Sequence, residues 1–422
     1  MEILKKMSKE ESLAYIYDWK FWARPKQMIP TVAFVIWLIL SGRGWGKTRT
    51  GSEFIRDRVN NGAKRIALVG ETKADVRDTM IEVEECSLLK TSPPWENLDY
   101  EPSKRRLVWY NNDNSIKSVG TIYSGDEPDQ LRGPQHDTAW VDELAKFKYP
   151  QLAWDNLEFG MRKSSDPKYI VTTTPRPIKL IKTLVKDPDC YVTIGHTREN
   201  RSNLSANFIK RIYNKYHGTR IGRQELAGEI LEDNPNALWT REKIEEHSVT
   251  SAPELKRIVV AVDPPGSEEG AECGIVAAGL GYNDHAYILD DSSLHAKPDV
   301  WGKMAVDVYT RLEADRIVAE INYGGDMVGH VINTVPGGKN ASFSTIRATR
   351  GKTRRAEPVA ALYEQGKVHH VGRFPVLEDQ MCDWDPNVPD KDQDSPDRMD
   401  ALVWALTELM LDDTPEFLIG KA

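Results

Sequence analysis

Cysteine is scarce in this chain of 422 residues: four are present, Cys86, Cys190, Cys273 and Cys382, and no two stand in a CxxC spacing. That argues against a disulfide scaffold or a zinc ribbon, and free buried thiols in a reducing cytoplasm are expected. Long apolar runs are missing too. The most hydrophobic stretch, Val32 to Leu40, falls far short of the ~20 residues a spanning helix needs. The opening Met1-Glu2-Ile3-Leu4-Lys5-Lys6 leads into no signal-peptide pattern, so no membrane partner is expected. Internal repeats and low-complexity tracts are also lacking, which argues against solenoids. What is present is a globular balance of 40% hydrophobic and 28% charged residues, in a length that predicts two domains.

The net charge of −8 is unevenly spread. Residues 1–256 carry 40 Lys and Arg against 36 Asp and Glu, whereas residues 257–422 carry 16 against 28. An acidic half repels phosphate unless cations fill it, so metal binding is to be sought there.

Short β-type runs alternate with helical stretches over the first part. The runs are Phe34–Leu40, Arg65–Val69, Ile116–Tyr123, Thr138–Val141, Tyr169–Thr173 and Tyr191–Ile194. Helical patterns occupy Lys9–Trp22, Lys47–Asn60 and Lys73–Val83. The alternation predicts an α/β domain with a mostly parallel sheet over residues 1–232. Residues 233–256 read as a linker. A second α/β pattern fills 257–422, with strands at Arg257–Val262, Gly274–Gly279, Ala286–Leu289 and Arg316–Ile321. Helices are expected there at Val300–Leu312, Lys352–Gln365 and Pro396–Leu411.

Ser41-Gly42-Arg43-Gly44-Trp45-Gly46-Lys47-Thr48 follows the first strand and opens a helix, which is the context of a P-loop. Small residues let backbone N–H groups turn toward the β- and γ-phosphates, and the helix points its positive end at them. Lys47 would neutralise phosphate and Thr48 hold Mg²⁺; Ser41 departs from the usual glycine. The strand Thr138–Val141 ends in Asp142-Glu143, an acid for the Mg²⁺ shell and a second to activate the attacking water of ATP. Arg132, in Leu131-Arg132-Gly133-Pro134, fits a transition-state arginine and a surface arginine about equally. Thr172-Thr173-Thr174-Pro175 fits a γ-phosphate sensor or a plain strand exit. Gln27 suits an adenine reader.

The second half offers Asp263 at a strand end, Glu320 at another, and Asp397 and Asp400 on one face of a helix that Ser395 caps and Pro396 opens. Converging carboxylates call for divalent cations, and hard oxygen donors without Cys favour Mg²⁺ or Mn²⁺, two ions being expected. His369-His370 reads as a surface strand. Lys352, Arg354 and Arg355 either line a DNA groove or form a solvated helix face.

With its motifs in this order, among them Arg24-Pro25-Lys26-Gln27, Val262-Asp263-Pro264, Ala319-Glu320-Ile321 and Ser395 to Ala401, the chain resembles the large terminase subunit of tailed bacteriophages. The resemblance implies an ASCE-type P-loop ATPase joined to an RNase H-like nuclease. It implies Lys47, Thr48, Asp142 and Glu143 as the Walker residues, with Arg43 as the arginine usual in terminase P-loops. Thr172 to Thr174 fall on its coupling motif, Gln27 on its adenine reader and Arg132 on its arginine finger. Asp263, Glu320 and Asp400 match its metal triad, Asp397 being an accessory. It implies double-stranded DNA, a small terminase subunit and the portal protein of the prohead as partners. A ring on the portal, with monomers in solution, and a place in the host cytoplasm docked transiently on the prohead, outside the mature virion, are implied as well. Two rivals remain open: a helicase or repair translocase with an accessory nuclease, and an ATP-gated DNA-binding adaptor whose second fold is inactive.

Overall fold

Continuous apolar runs make strands that are buried on both faces, and β1 (Ile36–Ser41) is buried at all six positions. The computed structural model describes residues 8–82, 84–216, 226, 228–230, 234–264, 272–320, 325–346, 352–389, 393 and 395–411. It divides into two units, residues 1–232 and 233–422.

The first unit is built on β1, β2 (Arg65–Gly70), β3 (Leu98–Glu101), β4 (Arg106–Tyr110), β5 (Ile116–Ser124), β6 (Thr138–Asp142), β7 (Lys168–Thr173) and β8 (Cys190–Gly195). Their order is β3-β4-β5-β2-β6-β7-β1-β8. From β5 to β8 every neighbour is parallel; β3, β4 and β5 are antiparallel. The strand period of two sorts β1 between two cores. Trp37 and Ile39 join Phe54, Ile55 and Trp140 on one face, while Ile36, Leu38 and Leu40 join Val141, Trp154 and Ile181 on the other. The lead-in is two short helices, α1 (Lys9–Ile16) and α2 (Trp19–Trp22), where one was expected. Helix α3 (Lys47–Asn60) covers one face, and α4 (Pro150–Gly160) with α5 (Lys179–Lys186) covers the other. The helix expected at Lys73–Val83 is a single turn with a capping box, Thr72 to Asp75, that widens at once into a π-turn over Val76–Glu82.

The second unit carries β9 (Leu255–Asp263), β10 (Gly274–Gly281), β11 (Ala286–Asp291), β12 (Arg316–Glu320), β13 (Phe343–Ile346) and β14 (Val368–His370), in the order β13-β12-β9-β10-β11-β14. Strands β9, β10 and β11 form an antiparallel meander, and β12 joins β9 in parallel. Its helices are α6 (Arg241–Glu246), α7 (Pro298–Arg311), α8 (Gly325–Thr334), α9 (Lys352–Glu364), α10 (Pro375–Asp383) and α11 (Asp397–Leu406). Helix α11 is buried from Met399 to Leu406 and lies against β9 and β10. Residues 233–256, read as a linker, belong to this unit: Trp239 and Ile244 are 2% exposed within its core. Strand β14 exists as expected, but His370 is buried rather than on the surface, where Tyr363 and Glu378 hold its ring. Among the described residues no helix is long and apolar enough to cross a membrane. All four cysteines are free; Cys273 and Cys382 are buried, whereas Cys86 and Cys190 are partly exposed.

Candidate functional site

Strand β1 ends at Ser41 and α3 begins at Lys47, so the intervening loop must reverse direction in a few residues. Gly46 does so at φ +104, beyond the ordinary reach of residues with a Cβ, and a Cβ there would also stand 2.9 Å from the Gln27 amide. The loop is tied down on its outer side. The Asn200 amide donates to the Gly44 carbonyl (2.7 Å), Thr197 Oγ1 donates to the Arg43 carbonyl (2.7 Å), and the Gly42 N–H donates to the Gly195 carbonyl (3.0 Å). Trp45 is fully buried with its indole N–H on Glu199 (2.9 Å), Arg24 lies over its ring, and Arg24 also donates to its carbonyl.

Lys47 is the hub. Its Nζ donates to the Ser41 carbonyl and to Thr174 Oγ1, both at 3.2 Å, and lies 3.4 Å from Glu143 Oε1. The Thr174 N–H donates to Glu143 Oε2 (3.2 Å), and the Thr172 hydroxyl donates to Asp142 Oδ1 (2.5 Å) while accepting the Trp140 indole N–H. Thr173 Oγ1 accepts the Ala145 N–H at 3.2 Å. Burial and the charge of Glu143 push Asp142 up to about 6. At Glu143 the cost of burial is outweighed by Lys47 and Lys146, which hold its carboxylate below the usual range. The pair is thus split into an acid that ionises reluctantly and a neighbour that stays ionised, the latter a charged acceptor suited to orient water. Thr48 is half-buried on the first turn of α3.

Not every expected residue joins this cluster. Gln27 is buried, and its amide is engaged by Gly46 and Thr50 (3.4 and 3.1 Å). Arg132 is exposed, with no side-chain hydrogen bond or ion pair among the described residues. Asn200, Glu199 and Lys146 escaped sequence reasoning, and Arg24 entered it only as part of the motif that ends in Gln27. Of the three that escaped, Lys146, three residues beyond Glu143, had a local signal.

In the second unit, β9 delivers Asp263, β12 delivers Glu320 and α11 delivers Asp397 and Asp400. The close approach depends on Gly274, the register partner of Asp263, because a Cβ there would lie 2.0 Å from the Asp397 carbonyl oxygen. The cap differs from expectation. Pro396 stands at the N-cap, and the Ser395 hydroxyl donates to Asp397 Oδ1 (2.5 Å) instead of accepting a helix N–H.

Burial, then the charges of Asp400, Asp397 and Glu320, push Asp263 well above the usual carboxylate range, so the four acids share one neighbourhood. They do not close into a ligand shell: among the described residues no group of three His, Cys, Asp or Glu side chains stands at metal-ligand spacing. Asp400 instead pairs with Lys352 (2.8 Å) and Glu320 with Arg355 (3.5 Å), so two of the three cations expected on a DNA groove or a solvated face turn toward the acids. Arg354 is exposed. Beside it opens a groove of about 610 Å³, walled by Lys352, Thr353 and Arg354 and by the run from Pro386 to Pro389. Partly buried, mutually repelling oxygen donors fit a hard divalent cation. The Cys273 thiol, pushed up by burial and these acids, stays protonated and outside such a set.

Two family models account for most of the chain: "Terminase large subunit, T4likevirus-type, N-terminal" matches residues 38–246 and "Terminase RNaseH-like domain" matches residues 260–409. The chain belongs to the phage large terminase family. Large terminases pair an ATPase with a nuclease in phage DNA packaging, and this terminase has the α/β architecture of both, with the RNase H-like domain second. Among solved structures it is similar to the large terminase of a thermophilic bacteriophage in complex with ADP, at 13% identity and TM-score 0.44, covering 96% of this chain and 100% of that one. The HK97 bacteriophage large terminase is similar at 13% identity and TM-score 0.37, covering 89% and 91%. The large terminase nuclease from thermophilic phage G20c is similar at 12% identity and TM-score 0.30, covering 36% and 82%. No curated protein matches the sequence.

Proposed function

We propose that this terminase drives double-stranded DNA into a prohead with ATP and cuts the concatemer before and after filling. One observation carries the reading: Lys47, Thr174 and Glu143, from the phosphate loop, β7's exit and β6's exit, meet in a single polar cluster. Lys47 neutralises the β- and γ-phosphates, Thr48 and Asp142 would hold Mg²⁺, and Glu143 orients and deprotonates the attacking water. Because Lys47 and Thr174 already touch, losing the γ-phosphate would re-sort their bonds, which gives Thr172 to Thr174 a route for reporting hydrolysis to the sheet. Gln27 reads the adenine edge once its amide is released from Gly46. Exposed Arg132 is suited to reach a neighbouring subunit of a ring on the portal. A small terminase subunit, the portal protein and the host cytoplasm complete the setting.

At the carboxylates, Mg²⁺ or Mn²⁺ would supply activation of water against a phosphodiester. Asp263, Glu320, Asp397 and Asp400 would hold it, while the Arg354 groove receives backbone phosphate. Lys47→Ala should lower ATPase activity at least ~100-fold, since phosphate positioning is most of the catalysis. It should leave divalent-dependent cutting of plasmid DNA within about twofold, and Asp263→Asn should do the reverse. Loss of both activities in either folded variant overturns the two-site reading.

A further inference from the structure

Every carbonyl of the phosphate loop from Ser41 to Gly46 accepts a hydrogen bond, and the donors fall into two groups. The loop and its helix serve three of them. Lys47 Nζ reaches Ser41 (3.2 Å), the Trp45 N–H reaches Gly42 (3.3 Å), and Thr50 holds Gly46 through its N–H (3.1 Å) and its hydroxyl (2.9 Å). The carbonyls of Arg43, Gly44 and Trp45 are held instead by side chains from elsewhere in the chain: Thr197 Oγ1 and the Asn200 amide, each at 2.7 Å, and Arg24. Thr197 and Asn200 belong to the turn Thr197–Asn203 that follows β8. Arg24 is tied to the same turn, because its guanidinium also donates to the Asn200 side-chain oxygen. The Asn200 side chain is therefore used at both ends, its nitrogen on the loop and its oxygen on Arg24. Glu199 closes this clamp by accepting the Trp45 indole N–H (2.9 Å) and Lys26 (2.6 Å), whose ammonium reaches back to the Ile194 carbonyl of β8 (2.9 Å).

A trans peptide is planar, so a C=O and the N–H that follows it point in opposite directions. A carbonyl held toward the clamp turns the next N–H away from it. Thr197, on the Arg43 carbonyl, thus orients the Gly44 N–H, and Arg24, on the Trp45 carbonyl, orients the Gly46 N–H. Asn200, on the Gly44 carbonyl, orients the Trp45 N–H that closes the loop onto Gly42. Among the described residues the N–H groups of Gly44 and Gly46 meet no acceptor. Both glycines take positive φ, +73 and +104, and backbone donors turned to one side in this way form an anion-binding nest.

We propose that Thr197, Asn200 and Arg24 are positioning residues of the ATPase reaction. They hold three loop carbonyls on one side and so aim the Gly44 and Gly46 N–H groups at the phosphates of ATP. The inference rests on the phosphate-loop reading above and goes beyond it by assigning phosphate affinity to side chains outside the loop, two of them beyond the last strand of the sheet.

The test is steady-state ATPase kinetics of the full-length protein, with folding checked by circular dichroism. Thr197→Val keeps the shape and loses the donor. Asn200→Asp keeps the size and an oxygen for Arg24, but sets an acceptor against the Gly44 carbonyl. In each, the KM for ATP should rise about tenfold, the order that one hydrogen bond to a charged group carries, while kcat stays within about threefold. The inhibition constant of pyrophosphate, which has no base to be read, should rise by the same factor. Thr197→Ser keeps the hydroxyl and should bring KM back to within about twofold of the parent. Either of the first two variants decides if the other fails to fold. An unchanged KM in a folded Thr197→Val or Asn200→Asp overturns the proposal, as does a Thr197→Ser protein no better than Thr197→Val. A raised KM with unchanged pyrophosphate inhibition puts the effect at the base and overturns it too. Lys47→Ala at the parent's ATPase activity overturns the phosphate-loop reading itself, and this inference with it. An inactive Lys47→Ala beside a Thr197→Val protein at the parent's KM sinks the inference alone.

Discussion

A buried charge survives when every lone pair and proton around it is engaged, and Glu378 is the clearest instance. The residue is fully buried. Its carboxylate accepts from Arg373 (2.7 Å) and the Phe374 N–H (2.9 Å), with His370 (3.3 Å) and Arg241 (3.4 Å) alongside. Burial alone would raise it, but Arg373, His370 and Arg241 hold it far below the usual carboxylate range. Glu378→Ala leaves Arg373 buried with, among the described residues, only Glu245, at 3.8 Å, as an acidic partner, and should cost about 3–5 kcal/mol in urea unfolding of the second unit. A loss under about 1 kcal/mol would contradict the account. Because the folded-state pKa is depressed, the stabilisation is complete above the unfolded value of about 4.3 and drains away as pH falls below it. The acid limb of stability should therefore flatten in the variant. None of this was legible from residue types. His369-His370 shows a strand pattern, yet which histidine is buried depends on α10 bringing Glu378 beneath it.

At the scale of elements, whatever obeyed a simple period was legible and whatever answered to a neighbour was not. The runs at Thr138–Val141, Tyr169–Thr173 and Arg257–Val262 announce strands because both faces are apolar, and the structure extends them by one or more residues. Strand β3 went unread because Leu98-Asp99-Tyr100-Glu101 is polar and half-exposed, an edge rather than a core strand, and β4 because its buried apolar run, Leu107 to Trp109, is only three residues long. Gly274 carried no motif at all, yet it sets how near α11 comes to Asp263. Gly274→Ala should push α11 outward, destabilise the second unit by about 1–3 kcal/mol through overpacking, and lower nuclease activity while ATPase activity stays unchanged. Unaltered cutting would show that the helix approach is immaterial. The first turn of α9 divides its labour: Lys352 and Arg355 face acids and Arg354 faces the groove. Arg354→Ala is therefore expected to weaken DNA binding evenly across sequences and to reduce the logarithmic salt slope by about 1. A fluorescence-anisotropy salt series with an unchanged slope would remove the groove from the DNA path.

For the whole molecule, the charge asymmetry between the halves foretold two kinds of site, but the edge of the second unit could not be read from composition. The segment 233–256 looks like a connection because Asn234, Pro235 and Asn236 open it and acids dominate α6. Its few apolar residues decide otherwise. Trp239 and Ile244 are buried with Val359, Tyr363 and Leu377, Arg241 pairs with Glu378 and Asp379, and the Asn234 amide donates to the Asp383 carbonyl. A chain of residues 233–422 should thus unfold cooperatively and cut DNA. One of residues 257–422 loses two buried anchors and a charge partner of Glu378. Deleting a buried aromatic alone costs about 3–5 kcal/mol, a large part of the 5–15 kcal/mol that holds a domain together. The shorter chain should show a broad, early melting transition, exposed apolar surface on dye binding, and nuclease activity reduced at least ~10-fold. Equal melting of the two chains would mean that α6 is a passenger on the second unit. A sharp difference would place the start of the nuclease at its first buried tryptophan rather than at its first strand.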